Sequence, residues 1–457
     1  DVTKVQPRAA VKARGQADAN LTIHFGTLMA LCHLKNSEQH VSKQSYKGRI
    51  VFRGDCVKNE ENFFAVFSEQ GTSSSHMAAT KFIDAIARMP DCDGEDSDAL
   101  AAYTQIPLCD AARLLGIGVM PETWISLPPS RQPPEWAGIK DPVCPLLQNL
   151  YGHPLAGLLW DKGCQEKILK VGFEKVMGWE CLYIHRTLQL FLSVYVDDFH
   201  MAGKAANLPK AWQLLRGTEK DKNLDLEPAV KFDGNIYLGC QQVDVPTDDA
   251  QVKAKRQLFD GIMKTKQQEA KDITFDAEGN PEADRNVMQE RFTGAPGTPK
   301  AKTKTNSKAK AASLTNKADS NVKRGTDDWR RCKTRSYEYR MIGSAQSCID
   351  RYIELAKIDV KTLKKVATPC IDDHILPPED FQSKGALSPV ASKIVLKALY
   401  LARVARPDLL WTVNSLARNV TKWTVADDKR VHRLMSYIQC TGDHVMKSFV
   451  GDEAKDC

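Results

Sequence analysis

The run Phe191-Leu192-Ser193-Val194-Tyr195-Val196-Asp197-Asp198-Phe199-His200-Met201-Ala202 sets two adjacent carboxylates inside an apolar stretch. Six residues rich in β-branched and aromatic types predict a buried strand, a second short apolar run follows, and Asp197-Asp198 falls where a tight hairpin would turn. Two like charges at a strand end repel one another, and burial adds to the cost, so a neutralising cation is the simplest explanation. Magnesium takes carboxylate oxygens and leaves room for phosphate oxygens. The ordinary alternative is an exposed Asp-Asp turn between two core strands. The surrounding segments decide between the two.

With 457 residues the chain can form two or three packed units, and 42% hydrophobic with 26% charged residues fits a soluble globular protein. No stretch reaches the ~18 uninterrupted apolar residues of a membrane span and no secretory signal opens the chain, which predicts an intracellular protein with no membrane partner. The thirteen cysteines form no C-x-x-C pair and no Cys/His cluster at zinc-finger spacing, so they predict reduced thiols rather than a disulfide framework or a structural zinc site. The start at Asp1 without methionine reads as a fragment of a larger precursor, or as a truncated gene model.

The net charge of +7 is concentrated in one place. Between Lys300 and Arg340 stand thirteen Lys or Arg against four Asp or Glu, which leaves the rest of the chain about neutral to slightly acidic. This stretch is interleaved with Ala, Thr, Ser and Asn, cannot build a core, and predicts a disordered basic insertion over residues 246–340. Such a tract attracts polyanions by counterion release without reading sequence; the alternative is a solvated linker.

Along the chain, residues 1–20 read as a disordered polar segment. Residues 49–55 predict a strand ending in a turn, and residues 75–90 a helix with Ser75 as N-cap candidate and Pro90 as its stop. Residues 91–97 read as an acidic turn leading into Asp98-Ala99-Leu100-Ala101-Ala102-Tyr103, residues 155–171 as a helix, and residues 235–240 as a strand. Helical spacing returns over 388–404, 409–419 and 425–439. The mixed order of strands and helices predicts an α+β fold.

Several blocks in register carry a family resemblance. Tyr195-Val196-Asp197-Asp198 resembles the Tyr-x-Asp-Asp box of reverse transcriptases, and its surroundings resemble the Ty1/copia class of retrotransposon polymerases. Tyr46 to Gly54 is similar to that family's first finger strand, Leu150-Tyr151-Gly152 with Ala156 and Trp160 to its L-Y-G block, and Gly172-Phe173 and Leu238-Gly239 to its G-F and L-G pairs. Ala405-Arg406-Pro407-Asp408, Val413-Asn414 and Tyr437 to Thr441 fit its later segments.

The resemblance implies a right-hand polymerase: fingers and palm over 21–245, then a thumb or connection-like helical region over 341–457 preceding a missing RNase H domain, and therefore no RNase H activity. It implies an RNA-directed DNA polymerase that adds dNTPs to a primer on an RNA or DNA template, by phosphoryl transfer with two Mg²⁺ ions, or Mn²⁺ in their place. The metal-binding and catalytic set would be Asp98, Asp197 and Asp198, with Asp96 the competitor of Asp98. Tyr103 would lie beneath the incoming sugar, and Tyr195 and Val196 would border the nucleotide. Lys47 and Arg49, two apart on one strand, share a side and could clamp a triphosphate, with Arg53 on the same face. Partners would be template-primer, dNTPs and other Pol polyprotein parts such as integrase and RNase H, in cytoplasmic virus-like particles or the nucleus.

Departures exist. The family's Gln in the L-Y-G block is Leu155, the first palm block loses its middle residues, and the basic insertion is far longer than a compact domain tolerates as a loop. A catalytically inactive remnant that only binds nucleic acid is the alternative, and an untemplated nucleotidyl- or glycosyltransferase a third. The last would need a Gly-rich nucleotide-binding turn, which the sequence lacks. His153 and His200 have no ligand partner at sensible spacing and read as surface or core histidines.

Overall fold

Period-two alternation in the Asp-Asp segment builds the sheet that carries it. Strands β9 (Leu190–Tyr195) and β10 (Asp198–Lys204) pair antiparallel across the turn Val196-Asp197. They belong to a computed structural model that describes residues 1–35, 41–65, 67, 75–271, 334–341 and 343–451. Leu192, Val194, Phe199 and Met201 enter one core with Leu159, Trp160 and Ile168 of helix α4 (Ala156–Lys170) and with Trp212 and Leu215 of α5 (Leu208–Arg216). The opposite face, which carries Ser193, His200 and Ala202, packs against α2 (Met77–Ile86). Ser75 does not cap α2. Its hydroxyl meets that of Ser193 instead, at 2.5 Å.

The full antiparallel sheet runs β11-β4-β10-β9-β8-β7, with β4 (Cys92–Asp98), β7 (Glu174–Lys175), β8 (Leu182–His185) and β11 (Val230–Lys231). Strand β4 corrects the reading of residues 91–97 as a turn. Its low β-propensity is overridden by partners: Lys231 bonds Asp93 and Glu95 at 2.8 Å each, and Gly94 leaves room for the Phe232 ring that a Cβ would strike.

A second sheet, β1-β6-β5-β2-β3, combines β1 (Gln6–Pro7), β2 (Ile23–Lys35), β3 (Ser45–Phe52), β5 (Glu122–Ser126) and β6 (Pro142–Pro145). Only its β2–β5 pair is parallel. The N-terminal segment is a second correction. Residues 1–20 contain β1 and α1 (Arg8–Ala17), because Val11 buries fully against Ile23, Phe25 and Trp124. Two motif glycines meet at the end of β3. Gly152, at φ +86°, sits where a Cβ would strike the Phe52 carbonyl, and a Cβ on Gly54 would strike the Gly152 carbonyl. Phe52 N–H donates to the Tyr151 carbonyl at 2.7 Å, so the Leu150-Tyr151-Gly152 turn docks on the strand.

The third sheet runs β12 (Ile236–Tyr237), β13 (Cys240–Val245), β14 (Arg335–Arg340), β15 (Met446–Val450). Residues 235–240 are therefore not one strand. Leu238 and Gly239, at φ +46° and +73°, form the two-residue turn between β12 and β13. Short α3 (Ala111–Leu115) lies beside α4, and α6 (Asp249–Lys271) follows β13. Helices α7 (Ser344–Ala356), α8 (Ala391–Val404), α9 (Leu410–Arg418) and α10 (Val425–Cys440) share a separate apolar core. Within it the buried Arg406 guanidinium bonds Asp408 at 2.8 Å and the Thr441 carbonyl at 2.7 Å, which ties two of the sequence blocks together.

The chain divides into two units, residues 1–245 with 334–457 and residues 246–333. The insertion boundary moves accordingly, since β14 occupies 335–340. Lys300 to Arg324, the centre of the basic tract, lies outside the described residues. Strands β13 and β14 pair in register from Gln241↔Arg340 to Val245↔Ser336, so the second unit leaves and re-enters at one hairpin end. Replacing residues 246–333 by a short Gly-containing turn is expected to leave the first unit cooperatively folded, with its melting temperature within about 4 °C of the full chain by circular dichroism. Loss of a cooperative transition would show that the hairpin needs the insertion.

Candidate active site at the Asp-Asp hairpin

Pairing between β4 and β10 brings Asp98 directly opposite Asp198, and His200 opposite Asp96. The two carboxyl groups of the first pair are placed to share a hydrogen bond when one of them is protonated and donates. Asp198 is half-buried, and burial together with the charges of Asp197 and Asp98 pushes its carboxyl up to about 7. Asp96 is taken by a different partner. It is buried and bonds His200 Nδ1 at 2.6 Å and Asn235 Nδ2 at 2.7 Å, so Asp98 and not Asp96 is the carboxylate that faces the hairpin pair.

Asp197 is held by the turn itself. Val196 stands at φ +59°, a conformation that strains a β-branched residue by about 1–3 kcal/mol. Two contacts hold it there. Trp160 Nε1 on α4 donates to the Val196 carbonyl at 2.6 Å, and Ala99 N–H donates to the Asp197 carbonyl at 2.7 Å. Tyr195 and Val196 are exposed at the tip.

Tyr103 lies on a 3₁₀ turn (Ala102–Gln105) after β4, with its ring 4.6 Å from that of Tyr151. Burial and the Asp197 charge raise both phenols. The Arg49 guanidinium sits 5.5 Å from the Tyr151 ring centre, so Arg49, Tyr151 and Tyr103 form a row leading from the β2–β3 ribbon, and the Asp197 charge acts on both phenols. Lys47 lies on the same face as Arg49 two register pairs further out, opposite His33. Arg53 pairs instead with Asp55 at 3.0 Å. Leu155 is buried in the core, and the cavity beneath the turn, lined by Tyr103, Trp160, Val194 and Val196, measures about 60 Å³. That holds water and not a nucleotide.

Three residues of this neighbourhood were not marked as site residues by the sequence. Tyr151 and Trp160 stood inside a motif block but without a role. Tyr400 on α8 donates its hydroxyl to the Leu238 carbonyl and is raised by burial and by Tyr195, Cys240 and Asp198, which places it near the hairpin tip.

Among the described residues, no three His, Cys, Asp or Glu side chains already stand together as a metal-binding group. The donor chemistry nevertheless fits a hard divalent cation. Burial and the neighbouring charges of Asp197 and Asp98 raise the Asp198 carboxyl, and a cation bound by the same oxygens would offset that unfavourable charge.

The comparisons with known proteins agree at a coarse level. No family model matches the chain. Over 123 residues, 24% of its length, the chain is 28% identical to a Saccharomyces cerevisiae protein described as "Putative transposon Ty5-1 protein". That likeness points to a retrotransposon-related protein. The match spans 40% of the relative's own length. No helix among the described residues is long and apolar enough to cross a membrane.

Two predictions follow from this geometry. A carboxyl raised from about 3.8 to about 7 in the fold binds its proton more tightly there than in the unfolded chain, so stability falls as pH rises across that window. In metal-free buffer the melting temperature should drop between pH 5 and pH 7.5, and Asp198→Asn should flatten the drop. An unchanged slope in the variant would contradict the assignment. Trp160→Phe, which removes the donor to Val196, should cost about 0.5–1.5 kcal/mol in denaturant unfolding, and a neutral result would mean the turn is held without it.

Proposed function

We propose that the chain is a template-directed DNA polymerase of Ty1/copia type, adding deoxynucleotides to a primer on RNA or DNA. The observation that carries the reading is the register pair Asp98↔Asp198 with Asp197 at the adjoining turn, which gathers three carboxylates from two segments at one sheet end. Phosphoryl transfer needs such a set, because both the attacking and the leaving oxygen develop charge. In this reading the β4–β10 sheet is the palm, the β2–β3 ribbon the fingers and the α7–α10 bundle the thumb.

Each group then has a task. Asp98, Asp197 and Asp198 would hold Mg²⁺, or Mn²⁺ in its place, and the bound ions would neutralise the transferring phosphate. Arg49 and Lys47 would meet the triphosphate from the ribbon, Arg49 as a fork and Lys47 as a point charge. Tyr103, braced by Tyr151, would form the floor under the sugar and exclude a 2′-hydroxyl. Template and primer would be held through their backbones, since a copying enzyme accepts every sequence. The polymerase reading also carries its setting, an intracellular one in cytoplasmic virus-like particles or the nucleus, with integrase and RNase H as companion Pol products.

One observation favours a second reading. Leu155 stands where the family has Gln, as in an inactive remnant that retains only polyanion binding. Primer extension on poly-rA with Mg²⁺ separates the two. Extension that Asp197→Asn with Asp198→Asn abolishes supports the polymerase; salt-sensitive retention of primer-template without extension supports the remnant. In an active enzyme, Tyr103→Val should admit ribonucleotides that the wild type rejects, read as ribonucleotide incorporation on the same template.

A further inference from the structure

Behind the carboxylate pair lies a buried polar cluster with no part in the reading above. His200, fully buried, bonds Asp84 Oδ1 through Nε2 at 2.9 Å and Asp96 Oδ1 through Nδ1 at 2.6 Å. Its ring is stacked between Phe232 and Tyr237, with centroids at 4.0 and 4.3 Å. Asp84, also fully buried, accepts from Gln242 Nε2 and Tyr339 Oη at 2.6 Å each. The cluster thus joins α2, β4, β10, β13 and β14.

Its position is what matters. Side chains two apart on a strand share a face, so the pair Asp96↔His200 is the next pair inward from Asp98↔Asp198 on the same face. Buried ionic groups are a poor source of net stability, since apolar residues of similar volume often do as well or better. They do discriminate register. A one-residue slip of β10 against β4 would leave His200 without Asp96 and would move Asp198 away from Asp98.

We propose that His200 is a positioning residue for the Asp98–Asp198 pair: clamped between Asp84 and Asp96, it fixes the register and spacing of β4 against β10 immediately behind the two site carboxylates. When both are ionised, Asp98 and Asp198 repel one another and do not hold this spacing themselves. The strut holds it for them. Gln242 and Tyr339, on the strands that flank the inserted unit, brace Asp84 in turn.

The role of the pair rests on the polymerase reading, so the test reads both metal binding and activity. Mn²⁺ binding is followed by electron paramagnetic resonance on the full chain, beside kcat, dNTP KM and melting temperature. His200→Leu is expected to stay folded, to lose about tenfold or more in Mn²⁺ affinity and kcat, and to keep dNTP KM within about twofold. Tyr339→Phe, which removes one partner of Asp84 and keeps the ring, should shift Mn²⁺ affinity and kcat in the same direction by a smaller factor, and it carries the test if His200→Leu does not fold. Wild-type Mn²⁺ affinity in a folded His200→Leu overturns the proposal, as does unchanged affinity in Tyr339→Phe where that variant alone folds. A wild type that binds Mn²⁺ without extending a primer contradicts the polymerase reading alone. A wild type that binds no Mn²⁺ contradicts both.

Discussion

Two carboxylates facing each other across paired strands make an unfavourable contact, and much of this molecule is arranged around it. Asp98 stands opposite Asp198, whose carboxyl is raised by burial and by its acidic neighbours, and Asp197 adds a third carboxyl at the turn. When ionised, the three acids disfavour this arrangement. It is imposed by the surrounding structure, through backbone pairing of β4 with β10, the contacts of Trp160 and Ala99 with the turn, and the buried cluster behind the sheet. Local strain and repulsion that the rest of a fold enforces are common where a site is prepared for a ligand.

The sheet is divided by chemistry as well as by strand. One face of β9 and β10 is purely apolar and joins α4 and α5 in the largest core. The other face carries the acid of Asp198 and the imidazole of His200 beside apolar Phe191 and Ala202. The apolar face resists sliding because it is close-packed, and the polar face specifies register because only one alignment satisfies its hydrogen bonds. The motif blocks distribute between these tasks. Gly54 and Gly152 permit two backbones to touch, and Arg406 ties Asp408 to Thr441. Both are structural contributions.

What the sequence made legible follows from periodicity. The Asp-Asp hairpin, α2, α4 and the late helices α8 to α10 appear close to their expected bounds because each carries a long repeating apolar pattern. Strand β4 was hidden, since Asp and Gly dominate it and its stability comes from Lys231, Phe232 and His200, remote in sequence. The ordered N-terminus was hidden for a related reason, with Val11 as its sole fully buried apolar anchor. The resemblance implied that Asp98 joins Asp197 and Asp198 in one acidic set, but not that Asp98 pairs in register with Asp198. The role of His200 was not expected, because a lone histidine on an apolar strand reveals its partners only when α2 and β4 are folded against it.

The central claim is templated chemistry at these three acids. Single-nucleotide incorporation opposite each of the four template bases, in Mg²⁺, tests it most directly. The account predicts addition of the complementary deoxynucleotide alone and its loss in Asp98→Asn. Addition that ignores the template base, or that survives Asp98→Asn in a folded variant, would contradict it.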